Sequence, residues 1–553
     1  MEMREKKPIG VILSGASTSR AICQLLEWAE KGRIREGMFL QIETLSNRKI
    51  LARVANIIPQ NEFYLPGDAW TEARRKEWDI PEGISRKYEL CELEILGEVP
   101  GLKKVSVPPY AGDKVFEIDV SKAPEEIFGV SYQEPGIIWY GSLIGYQDAP
   151  VPLTIEGIPM HLAVFGVTGS GKSYDIGALI EKLVKIHAGV NTQLSIPMLI
   201  IDANGDYLDY FKYYNENGYF GSCPLITRYV FPNSPEMRKR RPNTKPIAIN
   251  LNNLTLRDLA ELIVQYYSGG EKNELQVAGI EHLFNYMYEN YDIARDDYQS
   301  IFLDDEIFLK ARQRLDELKR ANEIHAATAA AIQRGLNKFR EIERQYKLLS
   351  ETPKIEKSFI DELTELRGIA IFDFSADGAP GVPLSLKQLV ISYLSTILFD
   401  RFTEYKIEGK ERYLLFIIEE AQNYCPNLSV YDVGYSLARE KLALISTQGR
   451  KFGLSLCLVS QRPSFIDPIV LSMCNTFFIH RIAPEDVLFV KRVCGGLPTD
   501  LEKRLTNLEL GELIITGQMS LVPFPVVIKV LEREVPHTAG KTDVLGALRR
   551  LAK

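Results

Sequence analysis

Between Leu162 and Ser173 the chain reads LAVFGVTGSGKS, an apolar tetrapeptide running into a glycine-rich octet, residues 166–173. The octet fits G-x-x-x-x-G-K-[S/T]. In that pattern glycines let backbone N–H groups turn inward around phosphates, the lysine reaches the β- and γ-phosphates, and the last hydroxyl ligates Mg²⁺. Residues 162–165 supply the strand before such a loop. Residues 174–186 supply a helix whose N-terminal dipole favours the anion. The phosphates of a nucleotide and Mg²⁺ are therefore the expected ligands. Gly166, Thr168, Gly169, Ser170, Gly171, Lys172, Ser173 and Tyr174 are the expected nucleotide-binding residues.

Moving outward from the loop, short apolar runs at 198–201, 369–374, 413–418, 454–459, 476–480, 513–516 and 526–530 predict further strands. Most are continuous rather than alternating, as expected of strands covered on both faces, and helix-like segments separate them. The class is α/β with a parallel sheet. Between 255 and 365 the pattern is helical instead: Ile280, Leu283, Phe284, Met287 and Tyr288 share one helix face, and residues 326–331 are strong helix formers. This stretch predicts a helical insertion whose charged residues form a solvated face. Upstream, strand candidates at 9–13, 39–43 and 50–58, separated by Gly, Ser, Asn and Pro, predict a small β-barrel.

A phosphate loop alone does not separate kinases, GTPases and motors. The strand YLLFIIEEAQNY, 413–424, ends in Glu419 and Glu420. One carboxylate there serves the metal and the other orients an attacking water. Glu419 is expected nearer the metal, and Glu420 is expected to be the base. The segment GRKFGLSLCLVSQRP, 449–463, places Gln461 at a strand tip, where it senses the γ-phosphate. Arg450 precedes that strand and is expected to stabilise transition-state charge on a neighbouring subunit's nucleotide, with Arg439, Lys451 and Arg462 as competitors for the role. In IIDANGDY, 200–207, Asp202 closes a strand at the edge that carries the loop; it serves either a metal shell, with Ser173 and Glu419, or the cap of a turn. Lys172, Glu419, Glu420, Arg450 and Gln461 form the expected catalytic set.

The remaining composition sets bounds. A chain of 553 residues exceeds one ordinary core and predicts about three to four domain-sized units. No apolar run approaches the roughly 20 residues of a bilayer span, and no secretory leader is legible, so a cytoplasmic location is expected. The seven cysteines include no C-x-x-C pair and read as buried thiols rather than a zinc site or disulfide framework. A net charge of −7 argues against a surface that coats nucleic acid, yet it leaves room for a basic channel inside a ring.

Taken together and in this order, the loop, DANGDY, EEAQ, GRKFG and SQRP resemble the motifs of the HerA family of hexameric DNA translocases, within the HerA and FtsK group of P-loop motors. The resemblance covers most of the chain. It implies a RecA-like motor domain with a helical insertion, preceded by a small barrel of the HAS type. It also implies a six-membered ring with ATP sites between subunits, double-stranded DNA in the pore, and a NurA-type nuclease partner in resection of broken DNA ends. Some relatives instead serve antiviral defence with other effectors, and an ATP-gated scaffold or a motor for conjugative or secreted substrates are the alternative readings. The expected boundaries are a barrel at 1–112, connecting strands at 113–158, motor parts at 159–254 and 366–535 around the insertion at 255–365, and a tail at 536–553. Gln422 stands where the family's EEAH motif has histidine, Ala203 and Asn204 replace a proline-histidine pair, and Met160 stands where an arginine is common.

Overall fold

The apolar runs pair as their burial on both faces requires. In a computed structural model, which describes residues 7–30, 32–79, 87–118, 124–146, 148–268, 273–291, 293–294, 297–431 and 436–538, the chain divides into two units. Of the expected C-terminal tail, residues 539–553 lie outside the described residues.

The first unit takes in residues 1–153 and 520–531. It contains a closed antiparallel barrel in the order Gly10–Ile12, Arg20–Leu25, Lys87–Val99, Lys49–Asn61, Phe39–Glu43, Lys114–Glu117 and back to the first strand. Alternate residues point inward, so Ile12, Cys23, Leu40, Ile42, Ile50, Cys91, Leu93 and Val115 make its core. The closing strand, Lys114–Glu117, falls in the stretch read from sequence as a connection. The run at 526–530, read as part of the parallel sheet, forms the strand Val526–Lys529, which pairs antiparallel with Ser142–Leu143 in this first unit.

The second unit, 154–519 with 532–553, is built on a twisted sheet. Its strand order is Thr244–Pro246, Ile226–Val230, Ile369–Asp373, Met198–Asp202, Leu414–Ile418, Leu454–Ser460, Leu162–Phe165 and Thr476–Ile479, all parallel, followed by Glu512–Gly517 running antiparallel. The inner strands are buried at every residue, which accounts for their unbroken apolar sequences. The phosphate-loop strand lies between Leu454–Ser460 and Thr476–Ile479, so the loop opens among the carboxyl ends of its neighbours, where ligands sit in open α/β sheets.

Among the described residues, six helices occupy the expected insertion: Leu256–Ser268, Glu274–Asn290, Ser300–Leu303, Asp305–Arg320, Ala326–Tyr346 and Lys357–Leu366. Ile280, Leu283, Phe284 and Met287 are buried, as their shared face requires. Among the described residues no helix is long and apolar enough to cross a membrane.

Candidate nucleotide and metal site

The loop between Phe165 and the helix Lys172–Leu183 owes its shape to three glycines. Gly169 and Gly171 have φ of 74° and 105°, a region side chains rarely tolerate. At Gly166 a Cβ would stand 2.4 Å from Ser170 Oγ and 2.7 Å from His480 Cβ. Lys172 starts the helix and donates from Nζ to the carbonyls of Gly166 at 2.5 Å and Val167 at 3.2 Å. Burial lowers its pKa below the usual lysine value, while Glu420, Glu419 and Asp206 pull it back up.

Two carboxylates, from beyond the ends of two different strands, meet at Ser173. Its Oγ donates to Asp206 Oδ2 at 2.8 Å and stands 3.3 Å from Glu419 Oε1. The buried Tyr207 donates its hydroxyl to the same Glu419 oxygen at 2.8 Å. Glu419 Oε2 is buried with no hydrogen-bond partner. Burial, reinforced by the charges of Asp202 and Asp206, holds this carboxyl well above the usual range. A hydroxyl and two carboxylates are hard oxygen donors of the kind Mg²⁺ takes, and the unpartnered oxygen of Glu419 gives the cation a ligand, so the residues fit that ion. Waters supply the rest of such a shell; among the described residues no group of three or more His, Cys, Asp or Glu is placed to hold a metal by itself.

Asp202 takes the second of its two expected roles, the turn cap. Fully buried at its strand end, it accepts with Oδ1 from the N–H groups of Asn204, Gly205 and Asp206 at 3.3, 2.7 and 2.9 Å, and with Oδ2 from Tyr207 at 2.9 Å. Burial pushes its carboxyl up to about 7 against the pull of the Tyr207 N–H, with Asp373 adding to the rise. The turn it shapes presents Asp206 to Ser173 and Tyr207 to Glu419. Asp206 is thus the aspartate beside Ser173, and its signal lay in the same motif, four residues on.

Glu420 follows in a left-handed conformation, φ 49° and ψ 44°, which turns its side chain away from that of Glu419. Its Oε1 accepts from Gln461 Nε2 at 2.6 Å and its Oε2 from Gln422 Nε2. Gln461 in turn accepts from Thr168 Oγ1 of the loop at 2.5 Å, so the expected sensor, the second glutamate and the loop are joined.

Arg450 is not brought to this cluster. It is exposed in the turn Gly449–Phe452, ahead of the strand Leu454–Ser460. Seven residues of strand, roughly 20 Å, separate it from the carboxyl edge where the loop sits. The turn is tight because a Cβ on Gly453, at φ 88°, would lie 2.0 Å from the Arg412 carbonyl oxygen. Tyr174, beside Ser173, accepts from the Arg533 N–H at 2.8 Å, and Glu181 on the same helix accepts from the N–H groups of Glu534 and Val535 at 2.8 and 3.0 Å. Residues 532–538 therefore run as a strap along the phosphate-loop helix. Tyr207, Gln422 and this strap had no place in the expected site.

Residues 138–406 match the family described as Helicase HerA, central domain. The chain is 25% identical over 566 residues to the DNA double-strand break repair helicase HerA of Saccharolobus solfataricus, covering 98% of this chain and 96% of that one. It is also 25% identical to the protein of the same name from Sulfolobus acidocaldarius, covering 94% and 92%. Among solved structures, VirB4 of Thermoanaerobacter pseudethanolicus aligns at 12% identity over 72% of this chain and 97% of that one, with a TM-score of 0.47.

Proposed function

The chain belongs to the HerA family, and from that premise we propose that it is a DNA-translocating ATPase that works as a hexameric ring on duplex DNA. The observation that carries the reading is the convergence of Ser173, Asp206 and Glu419, with Glu420 beside them, on a phosphate loop. A loop with one carboxylate binds nucleotide. A second carboxylate held apart from the first gives a place for an attacking water, which binding alone does not need.

In this reading Lys172 Nζ leaves the loop carbonyls for the β- and γ-phosphates of ATP. Ser173, Asp206 and Glu419 would hold Mg²⁺, which when bound would supply charge neutralisation for the phosphates. Glu420 orients the water, and Gln461 reports the γ-phosphate to Glu420 through the bond they share. Arg450, at the far edge of its own sheet, serves the site of the next subunit, where a guanidinium is worth on the order of 10³ to 10⁵ in rate. Its distance from its own loop supports a ring over an isolated subunit. A NurA-type nuclease is the proposed partner, by family, in processing DNA ends.

The test is ATP turnover measured with duplex, with single strands and without DNA, alongside the mass of the assembly. Duplex stimulation of a hexamer is expected, together with loss of turnover in Lys172→Ala while the assembly persists. Full turnover in Lys172→Ala would overturn the site, and a stimulation confined to single strands would overturn the duplex substrate.

A further inference from the structure

We infer that Gln422 is a positioning residue for the hydrolytic step, setting the direction of the Glu420 carboxylate; the inference rests on the ATPase reading above. Glu420 is a non-glycine residue in the left-handed region, a conformation that is uphill for side-chain-bearing residues and persists only where the surroundings enforce it. The backbone bonds of the turn that follows enforce it, and two primary amides fix where the carboxylate points. Each carboxylate oxygen accepts from one of them, Gln461 on the loop side and Gln422 on the other.

The direction of both amides follows from the chemistry of their partners. A carboxylate only accepts, so the amide nitrogens face Glu420 and the amide oxygens face away. Each oxygen meets a hydroxyl there: Thr168 Oγ1 at 2.5 Å from Gln461 Oε1, and Ser460 Oγ at 2.8 Å from Gln422 Oε1. The result is a chain of five side chains, Thr168, Gln461, Glu420, Gln422 and Ser460, running from the phosphate loop to the end of the strand Leu454–Ser460.

The two ends of the chain differ in kind. Gln461 stands partly open beside the loop and has a phosphate to answer to. Gln422 is buried, and Ser460 is buried behind it on a central strand. When Gln461 turns to the γ-phosphate, Gln422 is the partner that remains on Glu420. It holds the carboxylate while the water attacks the γ-phosphate.

Nor does the local fold depend on this amide. The turn Ala421–Asn423 is closed by its own backbone bonds, Asn423 N–H to Glu420 O at 2.8 Å and Tyr424 N–H to Ala421 O at 3.0 Å. It is tied to the helix Leu384–Ile407 by Gln388 Nε2, which donates to Asn423 O at 2.8 Å. Gln422 is spent on the carboxylate and the Ser460 hydroxyl.

The experiment compares Gln422→Leu and Gln422→His with the full-length wild type. Leucine keeps most of the volume and removes the donor. Histidine, neutral at pH 8, restores one N–H donor and one acceptor in a side chain of similar reach. A displaced base costs about 10- to 100-fold in rate, so kcat of Gln422→Leu is expected to fall by that factor while KM for ATP and the melting temperature hold. Gln422→His is expected to recover most of the loss at pH 8. Equal kcat in Gln422→Leu and wild type overturns the inference, as does a loss that histidine does not restore or one that KM shares. Should Gln422→Leu fail to fold, Ser460→Ala removes the hydroxyl that orients the amide; it is expected to lower kcat with KM unchanged, and an unchanged kcat overturns the inference. Wild-type protein without turnover removes the ATPase reading and the inference with it. Turnover lost in Lys172→Ala but kept in Gln422→Leu removes the inference alone.

Discussion

His161 makes the motor unit sensitive to acid at a position remote from any phosphate. It stands just before the phosphate-loop strand, buried, with Nε2 donating to the Ser446 carbonyl at 2.9 Å and Nδ1 accepting from the Leu456 N–H at 3.0 Å. An acceptor on one side and a donor on the other fix the neutral Nε2–H tautomer, and a second proton would set two N–H groups against each other. Burial is the chief reason its pKa is lowered to about 4; the Ser446 carbonyl opposes the fall and the Arg450 charge adds to it. In the unfolded chain the imidazole titrates near about 6.5. Between those values the unfolded state holds the extra proton, so the stabilisation is complete above about pH 6.5 and is lost as pH falls toward 4. At pH 5 the two titrations differ by a factor of about 30 in population, or about 2 kcal/mol. His161→Leu removes the titration and leaves the Leu456 N–H and Ser446 carbonyl unpaired, which costs about 1–3 kcal/mol for each group at any pH. Urea unfolding of wild type and variant at pH 8 and pH 5 yields a double difference that cancels every other titrating group. The variant is expected to be the less stable at pH 8, and its deficit is expected to shrink by about 2 kcal/mol at pH 5. A deficit that is the same at both pH values would refute the argument, because the imidazole would then titrate alike in both states.

Two further outcomes follow from the site and its surroundings. Asp206→Asn takes a carboxylate from beside Ser173, so the Mg²⁺ concentration for half-maximal turnover is expected to rise by about tenfold or more while metal-free nucleotide affinity holds; an unmoved Mg²⁺ requirement would take Asp206 out of the shell. Glu181→Leu removes the acceptor of the Glu534 and Val535 N–H groups, bonds worth about 1.5–3 kcal/mol each to a charged partner. Amide hydrogen exchange at those two residues is expected to quicken by at least about tenfold, and unchanged exchange would show that the strap is held elsewhere.

How far the sequence could be read depended on the range of the physics behind each feature. The phosphate loop, the parallel strands and the insertion helices announce themselves through local pattern: glycines where φ must be positive, unbroken apolar runs where both faces are covered, and period 3.6 where one face is. The strand Ile226–Val230 escaped because its sequence, ITRYV, carries an arginine at its centre. Arg228 is buried there only because Asp373 and Glu236 meet its guanidinium, partners 145 and 8 residues away. Thr244–Pro246 escaped as a short edge strand ending in proline. The same limit governs the site. Which aspartate of DANGDY faces Ser173 depends on how the turn closes, and Asp202 closes it by taking four N–H groups with one carboxylate, a geometry that periodicity does not encode. Glu419 and Glu420 were legible as a pair, yet their separation into a buried carboxylate beside Ser173 and an amide-held one beside Gln461 arises from a single left-handed residue. Glycine would reach that conformation at no cost, but it has no carboxylate. The strain at Glu420 is therefore the cost of placing an acid where the backbone must turn; the closed turn Ala421–Asn423 holds it there, and the two amides on its oxygens fix where the acid points.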